Sequence, residues 1–289
     1  MSQASNRWII KVILALCLIS FVAVSIVPII AAFNDTERSP TDTAAKGNSP
    51  TVDQKSKLQD EVRGYELVLQ REPENQAALK GLLQSRLQLL SLGQGDVKGV
   101  IEPLEKLVKL NPEETRYAVL LAQAKQQTGD KEGAATAYRT VLTTKPGDLQ
   151  ALQGMVALLL QQKRPEAAIG LLQDTLSKAP QANKIEAGSV DTIAVQVLLG
   201  NIHASQKRFS EALSVYDKSI KSDPLDFRPV LAKAIVLKEQ GKVDEAKPLF
   251  DKAATLAPAQ YKDEINKQAT AAPTPTASAT PSDQTTPKK

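Results

Sequence analysis

The stretch IAVQVLLGNIHASQKRFSEALSVYDKSIKSDP, Ile193–Pro224, is followed after two residues by another of the same build, FRPVLAKAIVLKEQGKVDEAKPLFDKAATLAP, Phe227–Pro258. Counted from their first residues, both carry a small residue at the eighth place (Gly200, Ala234) and the twentieth (Ala212, Ala246). Both carry an aromatic at the twenty-fourth (Tyr216, Phe250), a small residue at the twenty-seventh (Ser219, Ala253) and proline at the thirty-second. Counting from Thr115 gives Leu121, Ala122, Gly129, Ala134, Tyr138 and Pro146 in the same register, and from Leu149 gives Met155, Val156, Leu159, Ala168, Leu172 and Pro180. Pro73, Pro112, Pro146, Pro180, Pro224 and Pro258 fall 39, 34, 34, 44 and 34 residues apart. A period between about 20 and 50 residues marks stacked structural repeats.

The residue types say what each repeat is. Small residues recur where helix backbones must approach closely, and large apolar residues recur three or four places away, on one helical face. Gly129 and Gly241 fall mid-repeat, where a first helix must stop. Asp130 and Asp244 follow near the start of a second helix, where negative charge suits free backbone N–H groups. The closing proline lacks an N–H and clashes with a continuing turn. Each repeat therefore reads as helix, turn, helix, turn.

At these positions the chain resembles the tetratricopeptide repeat (TPR) family, over residues 54–262. That family carries small residues at the eighth and twentieth places, an aromatic at the twenty-fourth and proline at the thirty-second. Its tryptophan at the fourth place is replaced here by Ala118, Leu152, Gln196 and Val230. The resemblance implies an all-α fold, a right-handed superhelix whose first helices line a concave, protein-binding face.

The expected organisation follows. Residues 54–73, with Leu58, Val62, Tyr65 and Leu69 at helical spacing, form a capping half repeat. About five repeats span 74–114, 115–148, 149–182, 193–226 and 227–260, and Tyr261 and Ile265 lie on a closing helix ending by 268. The long interval before Pro112 implies a lengthened first helix ahead of Gly93-Gln94-Gly95-Asp96. The longest, before Pro224, implies an extended loop over Gln181–Val190.

Residues 1–33 read as a transmembrane anchor. Val12–Phe33 is 22 residues without a charge, about 33 Å as a helix, enough for a hydrocarbon core of about 30 Å. Arg7, Trp8 and Lys11 flank it. A cleaved signal peptide, with its shorter apolar core, is the competing reading, with Ala23-Val24-Ser25 as a weak cleavage site. Arg7 and Lys11 before the span and Arg38 and Lys46 after it nearly balance, leaning towards N-terminus inside. Residues 34–53 read as a flexible linker and 269–289, rich in Pro, Thr and Ala, as a disordered tail.

Little here points to catalysis. A single histidine, His203, at a packing place, and a single cysteine, Cys17, assemble no metal cluster. Gly93–Gly99 follows a helix and lacks the Lys-Ser/Thr pair of a phosphate loop. With 36 Lys and Arg against 32 Asp and Glu, the chain lacks the one-sided basicity of a nucleic-acid binder. No enzyme activity and no cofactor is expected, and no nucleic-acid partner.

Partner proteins would meet the first helices. Off the packing positions these carry Arg116, Val119, Gln123 and Gln126; Gln150, Gln153 and Ala157; Ala194, Val197 and Asn201; and Arg228, Leu231 and Lys238. We single out Arg116, Gln123, Gln126, Gln150, Gln153, Asn201, Arg228 and Lys238 as groove candidates, since amide and guanidinium groups suit an extended peptide. A chaperone-type carboxylate clamp needs lysine at the fifth place and asparagine at the ninth; Val119, Gln153, Val197 and Leu231 stand at the fifth, and only Asn201 fits. The expected function is a membrane-anchored scaffold at a bacterial plasma membrane or a thylakoid membrane. The alternatives are a periplasmic envelope-assembly or chaperone-network factor and, from another class, a carboxylate enzyme. In architecture the chain also resembles cyanobacterial anchored TPR proteins of the protochlorophyllide-oxidoreductase-interacting type and their chloroplast relatives. That resemblance implies a cytoplasm-facing array and a role in chlorophyll or photosynthetic-membrane biogenesis.

Overall fold

In the computed structural model, residues 51–271 are described, and all their regular structure is helical. The expected anchor at Val12–Phe33, all but the last few linker residues and nearly all of the tail lie outside the described residues. No helix among the described residues is long and apolar enough to cross a membrane. The chain divides into two compact units, with the boundary in sequence between Asp96 and Val97.

The first unit holds α1 (Thr51–Arg71) and α2 (Gln76–Ser91). They form an antiparallel hairpin. Ser85 Oγ donates to Glu61 at 2.9 Å, and further along the ring of Tyr65 lies over Gly81. A Cβ on Gly81 would meet that ring at 2.3 Å, so glycine is what lets the helices close. Asn75 caps α2 through a hydrogen bond from the Ala78 N–H. At 16 residues, α2 is longer than the 13-residue first helices α4, α6 and α10 that follow.

The second unit is built of α3 (Lys98–Leu110), α4 (Thr115–Gln127), α5 (Lys131–Thr144), α6 (Leu149–Gln161) and α7 (Pro165–Ile185). It continues with α8 (Thr192–Ser205), α9 (Phe209–Ser222), α10 (Phe227–Glu239), α11 (Val243–Leu256) and α12 (Ala259–Thr270). Each helix packs on the next in sequence. The twentieth- and twenty-fourth-place residues are at the centre of this packing. Ala134, Ala168 and Ala212 are fully buried, as are Tyr138, Leu172 and Tyr216 to within one per cent. One apolar cluster joins Ala212 and Tyr216 of α9 to Ala232 and Val236 of α10. Another joins Val230, Ala234 and Leu237 of α10 to Ala246, Phe250 and Ala253 of α11 and Ile265 of α12. The first cluster crosses from one hairpin to the next and the second runs on to α12, so the α10–α11 hairpin does not bury its apolar face alone.

Most of the recurring prolines do what their chemistry dictates. Asn111, Lys145, Asp223 and Ala257, each just before a proline, leave the helical region with ψ of 67°, 82°, 95° and 145°. Pro180 does not: α7 runs through it to Ile185. The expected loop over Gln181–Val190 is therefore more than a turn of helix followed by a short link. The physical reason is Asn183, which that extra turn brings opposite the link. Its Nδ2 donates to the Val190 carbonyl at 2.9 Å, and its Oδ1 accepts from the Val190 N–H at 2.8 Å and Ser189 Oγ at 3.1 Å. Val190, so held, is 2% exposed. Side-chain bonds and burial at the far end outweigh the one helix hydrogen bond that proline removes.

Candidate functional site

The first helices of the second unit form a contiguous row: α4 touches α6, α6 touches α8, and α8 touches α10. Their N-termini are clipped together. Thr115, at the start of α4, donates from Oγ1 to Asp148, the N-cap of α6, at 3.1 Å. Arg228, at the start of α10, donates from Nη1 and Nη2 to Asp191, the N-cap of α8, at 2.7 and 3.2 Å. The caps are used twice over. Asp148, Asp191 and Asp226 accept from the N–H groups of Ala151, Ala194 and Arg228 at 2.8–2.9 Å. Burial opposes the Asp191 charge, but the hydrogen bonds from Arg228 and the Ala194 N–H outweigh it and hold the carboxyl below its usual range.

The sequence-derived candidates fare differently along this row. Gln150 is exposed, and Arg116, Gln123, Gln126 and Gln153 are half-buried, with the Arg116 guanidinium 5.7 Å from the centre of the Tyr117 ring. Asn201 is exposed, but its Oδ1 accepts from the Tyr216 hydroxyl at 2.7 Å, so it also anchors the ring behind it. Arg228 is committed to Asp226 and Asp191. Lys238 is buried: its ammonium donates to the carbonyls of Gln268 and, at 3.0 Å, Ala269, and it lies 5.6 Å from the centre of the Phe250 ring. It holds the C-terminal end of α12 rather than facing an open groove, because a cation there meets the negative end of the helix. Val119, at the fifth place, is 1% exposed and belongs to the core.

Behind the row, burial alone pushes the Tyr138 hydroxyl up to about 12. Tyr216 rises in the same direction, through burial and then the charge of Glu239. Both phenols stay neutral at any physiological pH. Glycines make room for them: a Cβ on Gly154 or Gly200 would meet the Tyr138 or Tyr216 ring at 2.3 Å. The exposed face of a second helix, along Ser210, Leu213, Ser214, Asp217, Lys218 and Lys221 of α9, is a shallow open surface. No cluster of metal-ligating side chains occurs among the described residues. His203 is half-buried, and its Nδ1 has no hydrogen-bond partner among them.

A feature the sequence reading passed over sits at the tips joining first helix to second. Gly93, Gly129 and Gly241 have φ of 69°, 88° and 78°; Lys163 and Lys207, in register with them, have 59°. At both lysines the turn closes as a Schellman motif. The Lys163 N–H bonds the Leu160 carbonyl and Arg164 that of Leu159, and Lys207 bonds Ala204 and Arg208 that of His203, at 2.8–2.9 Å. The signal was present: the fifteenth place of these repeats reads Gly, Lys, Lys, Gly.

A sequence model of the tetratricopeptide repeat family matches residues 82–257. Among curated proteins, SLOW GREEN 1, chloroplastic, of Arabidopsis thaliana is 28% identical over 195 residues, covering 68% of this chain and 59% of that protein. Cellulose synthase operon protein C of Pseudomonas fluorescens is 28% identical over 144 residues, covering 50% of this chain but 11% of its own length. The chain thus spans little more than half of the first relative and a small part of the second. Among solved structures, yeast Tom70 superposes with a TM-score of 0.51 at 17% identity, over 78% of this chain and 43% of that one, a likeness of fold.

Proposed function

The chain belongs to the tetratricopeptide repeat family, and from that premise we propose that it is a membrane-anchored scaffold which binds partner proteins along its first helices and organises their assembly. The observation that carries this reading is the contiguous row α4, α6, α8 and α10, pinned at its N-termini by Thr115–Asp148 and Arg228–Asp191. A row fixed in this way presents Gln123, Gln126, Gln150 and Gln153 on a pre-organised surface, which lowers the ordering cost of binding. Glutamines offer both donors and acceptors, as an extended peptide requires. The interaction surface is read as the concave side of a right-handed superhelix.

The anchored half of the proposal rests on the uncharged run Val12–Phe33. The similarity to a chloroplastic protein supports a photosynthetic setting, and the proposal extends this to the assembly of a photosynthetic membrane or to chlorophyll biogenesis. Protease treatment of sealed vesicles separates this from the periplasmic envelope-factor reading: repeats on the cytoplasmic side support it, and repeats on the opposite side support the alternative.

Groove binding is tested by crosslinking pull-down from native membranes with the full chain. The comparison variant is Gln123→Ala, Gln126→Ala, Gln150→Ala and Gln153→Ala together. These side chains hold no other element in place as Arg228 and Lys238 do, so the variant is expected to fold and to lose specific partners. Recovery of the same partners in the same yield would remove the first-helix row as the binding surface.

A further inference from the structure

We propose that the two adjacent turns carrying Lys163-Arg164 and Lys207-Arg208 form a docking site for anionic phospholipid headgroups. Three observations converge there. The first is strain. These turns need a left-handed residue, which glycine supplies at positions 129 and 241, yet lysine fills it at φ 59° in both middle turns. Left-handed residues other than glycine cluster at ligand-binding and switch sites, so such a pair points to a function.

The second is charge. Lys163, Arg164 and Lys207 are exposed and form no ion pair among the described residues. Arg208 pairs with Glu166 of the neighbouring turn, which places the two dibasic tips side by side. The other nearby carboxylate, Glu211, accepts from Ser210 Oγ at 2.6 Å. The flanking turns, Gly129-Asp130-Lys131-Glu132 and Gly241-Lys242-Val243-Asp244-Glu245, are not basic. Positive charge is therefore concentrated on the middle two tips.

The third is the kind of surface. None of the large exposed apolar side chains of the described residues belongs to either of these two turns; Val243 belongs to the flanking Gly241 turn. A protein hot spot would want a buried aromatic or apolar anchor. Protruding turns tipped with long cationic stems suit a plane of headgroups, where each Lys or Arg strengthens association about 5-fold. The proposal leans on the anchored reading above, since tethering keeps these tips near a lipid surface.

The test uses the full chain reconstituted in vesicles of phosphatidylcholine, with or without phosphatidylglycerol. Amide hydrogen exchange is followed at Lys163, Arg164 and Glu166 and at residues 207–210. Exchange is expected to slow only in the anionic vesicles and to recover as salt is raised. In Lys163→Gly plus Lys207→Gly the fold is relieved of strain, so it should melt no lower than the parent. Its docking equilibrium should nevertheless weaken by about 5-fold per lysine. Equal exchange in both vesicle types, or protection undiminished by the double substitution, overturns the proposal. Protection by soluble polyglutamate but not by anionic vesicles overturns the lipid assignment in favour of an acidic protein. Retention in neutral vesicles after an alkaline wash reports separately on the anchor: its loss sinks that reading and leaves charge-dependent protection at the tips to be read on its own.

Discussion

Lys163 and Lys207 hold a φ of 59° that their neighbours in register assign to glycine. An L-residue there costs on the order of 1 kcal/mol. Lys163→Gly and Lys207→Gly should each raise stability by about 1 kcal/mol, and Gly129→Ala and Gly241→Ala should each lower it by about as much. Urea unfolding of the four variants checks the sign in each case; a common sign for all four would contradict the turn geometry. Arg228 makes a different prediction. Asp191 is held below its usual range against burial, mainly by Arg228 and then by the Ala194 N–H. A carboxyl depressed in the folded state adds stability above its unfolded value, about 4, and loses it as pH falls through the folded value. Arg228→Met should therefore cost roughly 1 kcal/mol at neutral pH, the pair being partly exposed. That difference should shrink as the pH is lowered from about 4; unfolding curves in which it stays constant with pH would discount the Asp191 clip. The sequence exposed the residue types at these places but not the partners. Arg228 and Lys238 read as groove cations because their helical positions were legible, while the Asp191 cap and the end of α12 that claim them come from other elements.

Element by element, the helices were legible because two chemistries agree: a small residue where backbones approach and a large ring opposite it. Tyr216 with Gly200, an eighth-place residue, shows the pairing directly, while Gly154, at a sixth place the pattern did not mark, makes the same room for Tyr138. Gly154→Ala forces a Cβ to 2.3 Å from a ring that is 1% exposed. It should cost roughly 1–3 kcal/mol by overpacking, as should Ala212→Leu at the fully buried twentieth place. Thermal melting tests both, and unchanged midpoints would dismiss the assigned register. Pro180 was misleading for a reason local pattern cannot carry. Its helix survives because Asn183, three residues on, bonds both polar groups of Val190. Asn183→Ala should loosen the link at 186–190 and raise its hydrogen-exchange rate, while the rest of α7 stays protected.

At the scale of the whole molecule, repetition decided the fold, and no local motif decided the function. A period names an architecture in which each hairpin leans on its neighbours. It leaves open which exposed residues meet a partner, because solvent-facing positions are free to vary without affecting the packing. The first-helix row and the two lysine-bearing tips are what the structure adds, and both depend on contacts between hairpins that lie 34 or 44 residues apart in the chain. The most direct test of partner binding places a photo-crosslinking residue at Gln150 or Gln153 on the first-helix row, or at Lys218 on the outer side of α9, in the full chain within its own membrane. Specific adducts from Gln150 and Gln153, with none in common from Lys218, are the predicted result. The same adducts from all three positions, or adducts from Lys218 alone, would contradict the claim that the first helices are the docking surface.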